Sequence, residues 1–240
     1  MNEPSDRVPE LMIVMPVYNE QASVMKVVTE WFLELESRGV DFVFLIINDG
    51  STDNTPGILT SLAGRFGSRI EVITHSNRGH GQSCLCGYRI ARERCIPYVF
   101  QIDSDGQCDP RYFFTFWQLR ANYDVIYGRR TRRNDGWRRA FATWVLKITL
   151  LILFRVKCAD SNVPYRLIRT GALNDVIDRI PSSFFLANVA LAFLMRKDPG
   201  VREFSIPITF LERYGGEPVI GLQRFGSKAV ELIAQLNDLK

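Results

Sequence analysis

The chain has 240 residues, 46% of them apolar, which is enough to bury the core of one large domain. Its formal net charge of +4 is mild, and no helix-turn-helix, zinc-finger or RNA-binding motif accompanies the basic residues, so nucleic acid is not an expected partner. Five cysteines without a C-x-x-C pair, and only two histidines, argue against a disulfide framework or a structural zinc site and favour a reducing, cytosolic compartment.

The composition of two segments argues against membrane insertion. The first ten residues, MNEPSDRVPE, are polar and acidic, unlike a secretory signal. The longest apolar stretch, 141–154, contains Lys147 and is shorter than the roughly 20 residues that a membrane span needs. We expect a chain that does not cross a bilayer by itself, in which 141–154 is either a core helix or an interfacial one.

Apolar runs alternate with helical patterns over the first half of the chain. Strands are predicted at 11–15, 42–47, 70–74, 98–102 and 124–127, and helices at about 19–37, from 55, at 81–94 and from 110. Asn19 is expected to cap the first helix and Gly39 to end it. Strands that are apolar throughout, alternating with helices, are typical of an α/β fold with a parallel sheet covered on both faces.

Polar loops follow the first four predicted strands. Their sequences are PVYNE, NDGSTD, SNRGHGQ and DSDGQ, in chain order. Ligands of parallel α/β folds bind at the carboxyl ends of the strands. The four loops are therefore predicted to line one crevice, in which His80 of the third loop is interpreted as a bystander.

Asp103 and Asp105 leave the fourth strand one residue apart, without a basic neighbour in the sequence. Such a pair suits Mg²⁺ or Mn²⁺, which takes oxygens from one or two carboxylates and fills its other positions with phosphate and water. Gln107 is a candidate third ligand, and the metal would act as a Lewis acid on a diphosphate leaving group. A solvated polar turn is the alternative interpretation, which the position after a buried strand disfavours.

The motifs VMPVYNE, INDGSTDNT, NRGHGQ and QIDSDGQCDP, in this order and spacing, resemble the family-2 glycosyltransferases of the GT-A fold, and within them the polyprenyl-phosphate group. The resemblance runs from about residue 10 to 230, and DSNVPYRLIR resembles a later D-x-x-x-G-F-R segment. It implies a Rossmann-like, mostly parallel sheet with helices on both faces, plus an acceptor-side subregion with an apolar helix. We expect one domain, with 10–128 as the nucleotide-sugar-binding half and 129–240 as the acceptor-side half.

The resemblance implies which residues hold the nucleotide. Pro16, Tyr18 and Glu20 match the loop around the nucleotide, and Ile47 with Asp49 match the strand end that contacts the base. A carboxylate at Asp49 suits this role because it can accept from the N3–H of uracil or from the N1–H and amino group of guanine.

The resemblance also implies the catalytic and metal positions. Asp103, Ser104 and Asp105 match positions that meet the nucleotide sugar and the metal, and Gln107 matches an additional metal contact. Arg130 matches the arginine of a G-S-R or G-T-R element. Asp105 and Arg130 are the predicted catalytic residues.

Two departures from the family pattern stand out. Asn48 replaces a first aspartate, and it can still form hydrogen bonds. The closing element R-x-x-G-E-S-K is matched by Arg213, but its lysine is missing, and Lys228 is a possible substitute.

Six arginines crowd into residues 129–139, which predicts phosphate partners. A hydroxyl acceptor needs a general base, whereas a lipid monophosphate, with a second pKa of about 6, is already largely a dianion. That dianion must approach a diphosphate against a repulsion of roughly 4 kcal/mol per charge pair about 4 Å apart at an effective dielectric of about 20. Arginine forks suit that task, so we expect Arg130, with Arg138 or Arg139, to bind the acceptor phosphate; a solvated surface loop is the alternative.

The predicted function is that of an inverting glycosyltransferase that moves a hexose from GDP-mannose or a UDP-hexose to polyprenyl phosphate. The protein is expected to be cytoplasmic and peripheral on the cytoplasmic membrane face, with or without a separate membrane-anchoring subunit. Two alternatives stay open: a related enzyme with a hydroxyl acceptor and Asp160 as the base, and a catalytically silent nucleotide-sugar-binding subunit.

Overall fold

The computed structural model describes residues 8–131, 163–184, 186–215 and 235. Seven strands occur in these ranges: β1 (Leu11–Val17), β2 (Phe42–Asn48), β3 (Ile70–Thr74), β4 (Tyr98–Ile102), β5 (Val125–Arg130), β6 (Tyr165–Arg169) and β7 (Glu203–Ile208). Five α-helices accompany them: α1 (Val24–Ser37), α2 (Thr55–Phe66), α3 (His80–Glu93), α4 (Phe113–Leu119) and α5 (Ala187–Lys197).

The strands form one sheet in the order β3-β2-β1-β4-β6-β5-β7. The pairs β1–β2, β1–β4, β2–β3 and β5–β7 are parallel, whereas β6 runs antiparallel to both β4 and β5. The prediction of an α/β fold with a mostly parallel sheet is confirmed. The carboxyl ends of β1, β2, β3 and β4 consequently meet at one edge, together with the loops that follow them.

Helices α1 and α4 cover one face of the sheet through aromatic side chains. The Trp31 ring of α1 lies 5.6 Å from the ring of Phe100 in β4 and 6.1 Å, edge-on, from that of Phe113 in α4. Its indole Nε1 donates to the carbonyl of Cys108 at 3.2 Å, so this packing also fixes the chain that follows Asp103 and Asp105.

Helix α3 covers the opposite face and lies very close to β1. A Cβ built on Gly87 would lie 2.4 Å from a methyl group of Val14, so only glycine allows this approach. The Tyr88 hydroxyl donates to Gln101 of β4 at 2.5 Å. This packing places the first residue of α3, His80, at the edge where β4 ends.

The predicted start of the first helix is wrong. Helix α1 begins at Val24, and Asn19 has φ +52°, a left-handed conformation that does not cap a helix. The Asn19 side chain instead accepts from the backbone N–H of Thr52 at 2.8 Å. The backbone N–H of Asn19 donates to the Ser51 hydroxyl at 3.0 Å. Gly39, at φ +64°, follows the end of α1 as predicted.

Several predictions fall on residues outside the described ranges: the apolar helix at 141–154, Arg138, Arg139, Asp160 and Lys228. The division into halves at residue 128 stays a prediction. In the part of the chain that the structure describes, no helix is long and apolar enough to span a membrane.

Candidate active site

The carboxylates of Asp103 and Asp105 stand at the carboxyl end of β4, in the centre of the sheet. Asp105 Oδ1 accepts from the backbone N–H of Gln107 at 3.0 Å, which fixes the turn. Asp105 Oδ2 lies 3.6 Å from Nη1 of Arg213. The Asp103 side chain is 27% exposed and that of Asp105 is 13% exposed, so both carboxylates are reachable from solvent and partly withdrawn from it.

The negative charges of Asp103 and Asp105 repel each other. Burial, and next the negative charge of Asp103, raise the pKa of Asp105 above its usual value. The Gln107 N–H, Arg213 and Arg130 lower it, but they do not reverse the direction of the shift. The site therefore carries an incompletely neutralised negative charge, which a bound cation would relieve.

The donor set fits a divalent cation that is shared with a ligand. In residues 8–131, 163–184 and 186–215, no cluster of three or more His, Cys, Asp or Glu side chains could hold a metal by itself. Mg²⁺, however, is usually bound through one or two carboxylates together with phosphates and water. Asp103 and Asp105 meet that requirement, whereas the part of Gln107 as a third ligand stays a prediction.

Residues 209–215, here called the strap, run over the turn that carries the two carboxylates. The backbone N–H of Leu211 donates to the carbonyl of Gln107 at 3.0 Å, and that of Tyr214 donates to the carbonyl of Asp105 at 3.0 Å. These two hydrogen bonds hold the strap against the turn.

Tyr214 anchors the strap to α1. Its hydroxyl donates to Glu30 at 2.9 Å, and Nζ of Lys26 lies 3.7 Å from its ring centroid. The ring covers Gly106, where an added Cβ would lie 2.4 Å from it. Glycine is required at position 106 for two reasons: its φ is +85°, and the Tyr214 ring of the strap leaves no room for a Cβ.

Arg213 links the first and fourth loops. It lies between Glu20 and Asp105, donates from Nη2 to Glu20 Oε1 and from Nε to the carbonyl of Gly215 at 2.7 Å. Ser23 donates to the other Glu20 oxygen at 2.7 Å. Burial raises the pKa of Glu20, although the Ser23 hydrogen bond and Arg213 oppose the shift. The predicted residues Glu20, Asp105 and Arg213 thus come together.

Hydrogen bonds connect the first loop, after β1, with the second loop, after β2. The sequence analysis did not predict this connection. The N–H of Glu20 donates to the buried Thr55 hydroxyl at 2.9 Å, and that of Gln21 donates to Asp53 at 3.2 Å. The N–H of Asn54 donates to the Gln21 side chain at 3.0 Å. Much of the polar character of both loops therefore serves to hold them together.

Three other predicted substrate residues are buried. Pro16 and Ile47 pair across β1 and β2, and Ser104 lies between the two carboxylates in sequence. Tyr18, at the rim, is half-buried. Pro16 and Ile47 therefore lie in the buried ends of two neighbouring strands, and their contact with a ligand stays a prediction.

Asp49 holds the loop that leads into α3. Its two oxygens accept from the backbone N–H groups of Arg78, at 2.8 Å, and Gly79, at 2.9 Å. Nδ1 of His75 lies 3.3 Å from Oδ1 of Asp49. Asp49 itself is only 3% exposed. A contact of Asp49 with a nucleotide base stays a prediction, whereas its role in the loop follows from the structure.

Because Asp49 holds this loop, its substitution should destabilise the protein even when no nucleotide is bound. Replacing Asp49 with alanine should lower the free energy of unfolding by about 1–3 kcal/mol, because the half-buried N–H groups of Arg78 and Gly79 both lose a charged acceptor. Urea denaturation of the nucleotide-free protein measures this change. Asp178→Ala, which removes an exposed carboxylate paired with Arg92, is the control and should cost about 0–1 kcal/mol. Unchanged stability of the Asp49 variant would contradict the assignment.

Arg130 stands at the end of β5, which extends beyond the predicted strand end at residue 127. Its guanidinium carbon lies 4.3 Å from the ring centroid of Phe210. Its charge lowers the pKa of Asp105, so Arg130 acts electrostatically on the carboxylate pair. The neighbouring Arg129 is exposed.

His80 contacts the site although the sequence analysis gave it no role. Its Nε2 lies 2.7 Å from Asp103 Oδ1. A signal was present in the sequence, because His80 begins the helix that connects β3 with β4, and the amino end of such a helix lies at the edge where β4 ends.

Comparisons with known sequences and structures identify the family and the fold. A sequence model of glycosyl transferase family 2 matches residues 12–181, more than half of the chain. The undecaprenyl-phosphate 4-deoxy-4-formamido-L-arabinose transferase of Edwardsiella ictaluri (strain 93-146) is 25% identical over 226 residues, which cover 93% of this chain and 67% of the relative. The corresponding protein of Sodalis glossinidius (strain morsitans) is 24% identical over 232 residues, covering 96% and 68%.

Solved structures share the fold. Glucosyl-3-phosphoglycerate synthase from Mycobacterium tuberculosis, in complex with phosphoglyceric acid, superposes with a TM-score of 0.66 at 16% identity and covers 96% of this chain and 80% of its own. The same enzyme with Mn²⁺, UDP-glucose and phosphoglyceric acid gives a TM-score of 0.65 at 15% identity, covering 96% and 79%. The fold, the motif order and the family match together lead to one conclusion: the chain belongs to glycosyl transferase family 2.

Proposed function

We propose that this protein transfers a sugar from a nucleotide sugar to a polyprenyl phosphate, with the help of Mg²⁺ or Mn²⁺. The observation that carries the proposal is the carboxylate pair at the end of β4 with Arg213 and Arg130 acting on it. The names of the curated relatives, which are undecaprenyl-phosphate sugar transferases, support the acceptor class.

On the donor side, the chain presents two carboxylates and a guanidinium. Asp105 is held by the Gln107 N–H, and Arg213 brings positive charge to within 3.6 Å of it. A bound divalent cation would supply Lewis-acid stabilisation of the leaving diphosphate. Arg213 is placed to add a second, protein-borne positive charge to the same region.

On the acceptor side, hydrogen bonding in the site favours a nucleophile that is already ionised. Glu20 has both oxygens engaged, by Ser23 and by Arg213, and Asp103 accepts from His80. Neither oxygen of Glu20 is therefore left unengaged to take a proton from a hydroxyl, and the remaining oxygen of Asp103 would be shared with the cation. A lipid phosphate needs no such base, because it is largely a dianion at neutral pH, and Arg130 would reduce its repulsion by the donor diphosphate.

The proposed reaction is a single displacement with inversion at the anomeric carbon. A phosphate oxygen of the acceptor forms the new bond to that carbon while the bond to the donor diphosphate breaks, and the nucleoside diphosphate leaves. GDP-mannose and UDP-hexoses remain the proposed donors, although the relatives are named for an arabinose derivative, so UDP-pentoses belong in any screen.

The proposed location is the cytoplasmic face of the membrane, where the protein would bind peripherally. The proposed lipid acceptor and the arginines of residues 130–139 support this location. A separate membrane-anchoring subunit is compatible with it.

A screen followed by product analysis tests the proposal. UDP- and GDP-sugars, each with and without Mn²⁺ or Mg²⁺, are first ranked by the shift in melting temperature, and the labelled best donor is then incubated with undecaprenyl phosphate. We expect a metal-dependent shift and an organic-phase product whose label is released by mild acid, as from a glycosyl phosphate. An acid-stable product would support the hydroxyl-acceptor alternative. Donor binding without transfer or hydrolysis would support the silent subunit.

A further inference from the structure

The imidazole of His80 is held at both of its nitrogens. Nε2 lies 2.7 Å from Asp103 Oδ1, and because a carboxylate only accepts, Nε2 is the donor in either protonation state of the ring. Nδ1 lies 3.9 Å from the sulfur of Cys84, one helical turn further on. That sulfur in turn accepts from the Asn188 side chain of α5 at 3.5 Å. The contacts with Cys84 therefore help to fix the orientation of the His80 ring on the side opposite to Asp103.

The first turn of α3 is fixed as well. Gln82 donates from Nε2 to the carbonyls of Pro181, at 3.2 Å, and Phe184, at 3.1 Å. A Cβ added to Gly81 would lie 3.0 Å from the backbone nitrogen of Ala187, so the helix start packs tightly against α5. The His80 side chain, 46% exposed, is therefore carried by a rigid backbone.

The residue before α3 is held from the other side. Asp49 accepts from the Gly79 N–H at 2.9 Å, and Gly79 has φ +90°, which lets the chain turn into the helix. A series of contacts consequently connects the end of β2, the start of α3 and the end of β4. Its last member is the hydrogen bond from His80 to Asp103.

We propose that His80 is a positioning residue that orients Asp103 for the divalent cation of the proposed function. Its hydrogen bond occupies Oδ1 and leaves Oδ2 as the oxygen available to the cation, and it limits rotation of a half-buried carboxylate. It also brings a hydrogen-bond donor to two carboxylates that stand one residue apart in sequence. The inference rests on the proposed function, because it presumes a cation at this pair.

The reach of the amide side chains provides a sharp test. The Nε2 atoms of glutamine and histidine are both four bonds from Cα, whereas the asparagine Nδ2 is three bonds away. His80→Gln should therefore restore the hydrogen bond to Asp103, His80→Asn should not, and His80→Ala removes it. Glu93→Gln, at the exposed far end of the same helix, is the matched control. The melting temperature of each of the four variants is measured first, to check that it folds.

The measured quantity is the dissociation constant of Mn²⁺, from titrations followed by electron paramagnetic resonance in the presence of UDP and, separately, GDP. We expect His80→Ala and His80→Asn to raise this constant about 10-fold, His80→Gln to stay near the wild-type value, and Glu93→Gln to match it. Equal constants for wild type and His80→Ala would overturn the positioning role of His80 but would leave the proposed function standing. Equal losses in the Gln and Ala variants would assign the effect to the ring rather than to the hydrogen bond, and would also overturn it. A wild-type protein that binds no Mn²⁺ with either nucleotide would contradict the metal of the proposed function itself.

Discussion

Replacing Asp105 with alanine should abolish sugar transfer and metal-dependent nucleotide binding while the fold stays intact. The expected loss of transfer is at least about 10²–10³-fold, the usual effect of removing one group that stabilises charge in the transition state. Asp105→Asn should be similarly inactive, because it keeps the shape of the side chain but loses the charge that a cation requires.

The same substitution should leave stability almost unchanged. Burial and the charge of Asp103 raise the pKa of Asp105, so the ionised carboxylate is less favourable in the folded state than in the unfolded chain. Removing the charge relieves that repulsion and offsets the lost hydrogen bond from the Gln107 N–H. Transfer assays with and without a chelator, together with urea denaturation, measure both effects. An Asp105→Ala enzyme with near-normal transfer in the presence of chelator would contradict the metal assignment.

Replacing Arg130 with alanine should lower transfer to a lipid phosphate far more than it lowers hydrolysis of the donor. Water is neutral and gains little from an added cation, whereas a dianion approaching a diphosphate faces roughly 4 kcal/mol of repulsion per charge pair at about 4 Å. That energy corresponds to as much as about 10³-fold in rate. Lysine at Arg130 should rescue transfer only partly, because it keeps the charge but loses the fork.

Arg129 provides the matched control for this experiment. It is exposed and precedes Arg130 in β5, so its side chain points to the other face of the strand, and Arg129→Ala should affect transfer little. The double variant Arg138→Ala with Arg139→Ala probes the same acceptor hypothesis from residues outside the described ranges. Equal losses of transfer and hydrolysis in Arg130→Ala would mean that Arg130 serves the donor or the fold.

The first four strands could be predicted because each is apolar throughout. β3 and β4 have the predicted bounds, and β1 and β2 extend the predicted runs by one or two residues. The start of α1 was not predictable in this way. Asn19 has the composition of a cap, but its partners Ser51 and Thr52 lie 32 and 33 residues further along the chain. Such tertiary contacts override local preference.

The position of β6 had no local signal either. The segment around Pro164, Tyr165 and Arg166 was matched only as a family motif, yet it forms the antiparallel strand between β4 and β5. Arg166 is fully buried and donates to the carbonyl of Val163 at 2.7 Å and 3.1 Å. Within the candidate site, the motifs identified the residues that meet, Glu20, Asp105 and Arg213. They did not reveal that Asp49, Asp53 and Thr55 hold the loops, because a motif does not distinguish a ligand contact from a contact within the protein.

The acceptor phosphate is the central claim, and a comparison of two lipids of equal chain length tests it most directly. Initial rates of label transfer are measured with undecaprenyl phosphate and with undecaprenol, in the same detergent, with the same donor and Mn²⁺. We expect transfer to the phosphate only, with the label released by mild acid and with no transfer by Asp105→Ala. Comparable transfer to undecaprenol, giving an acid-stable product, would contradict the account.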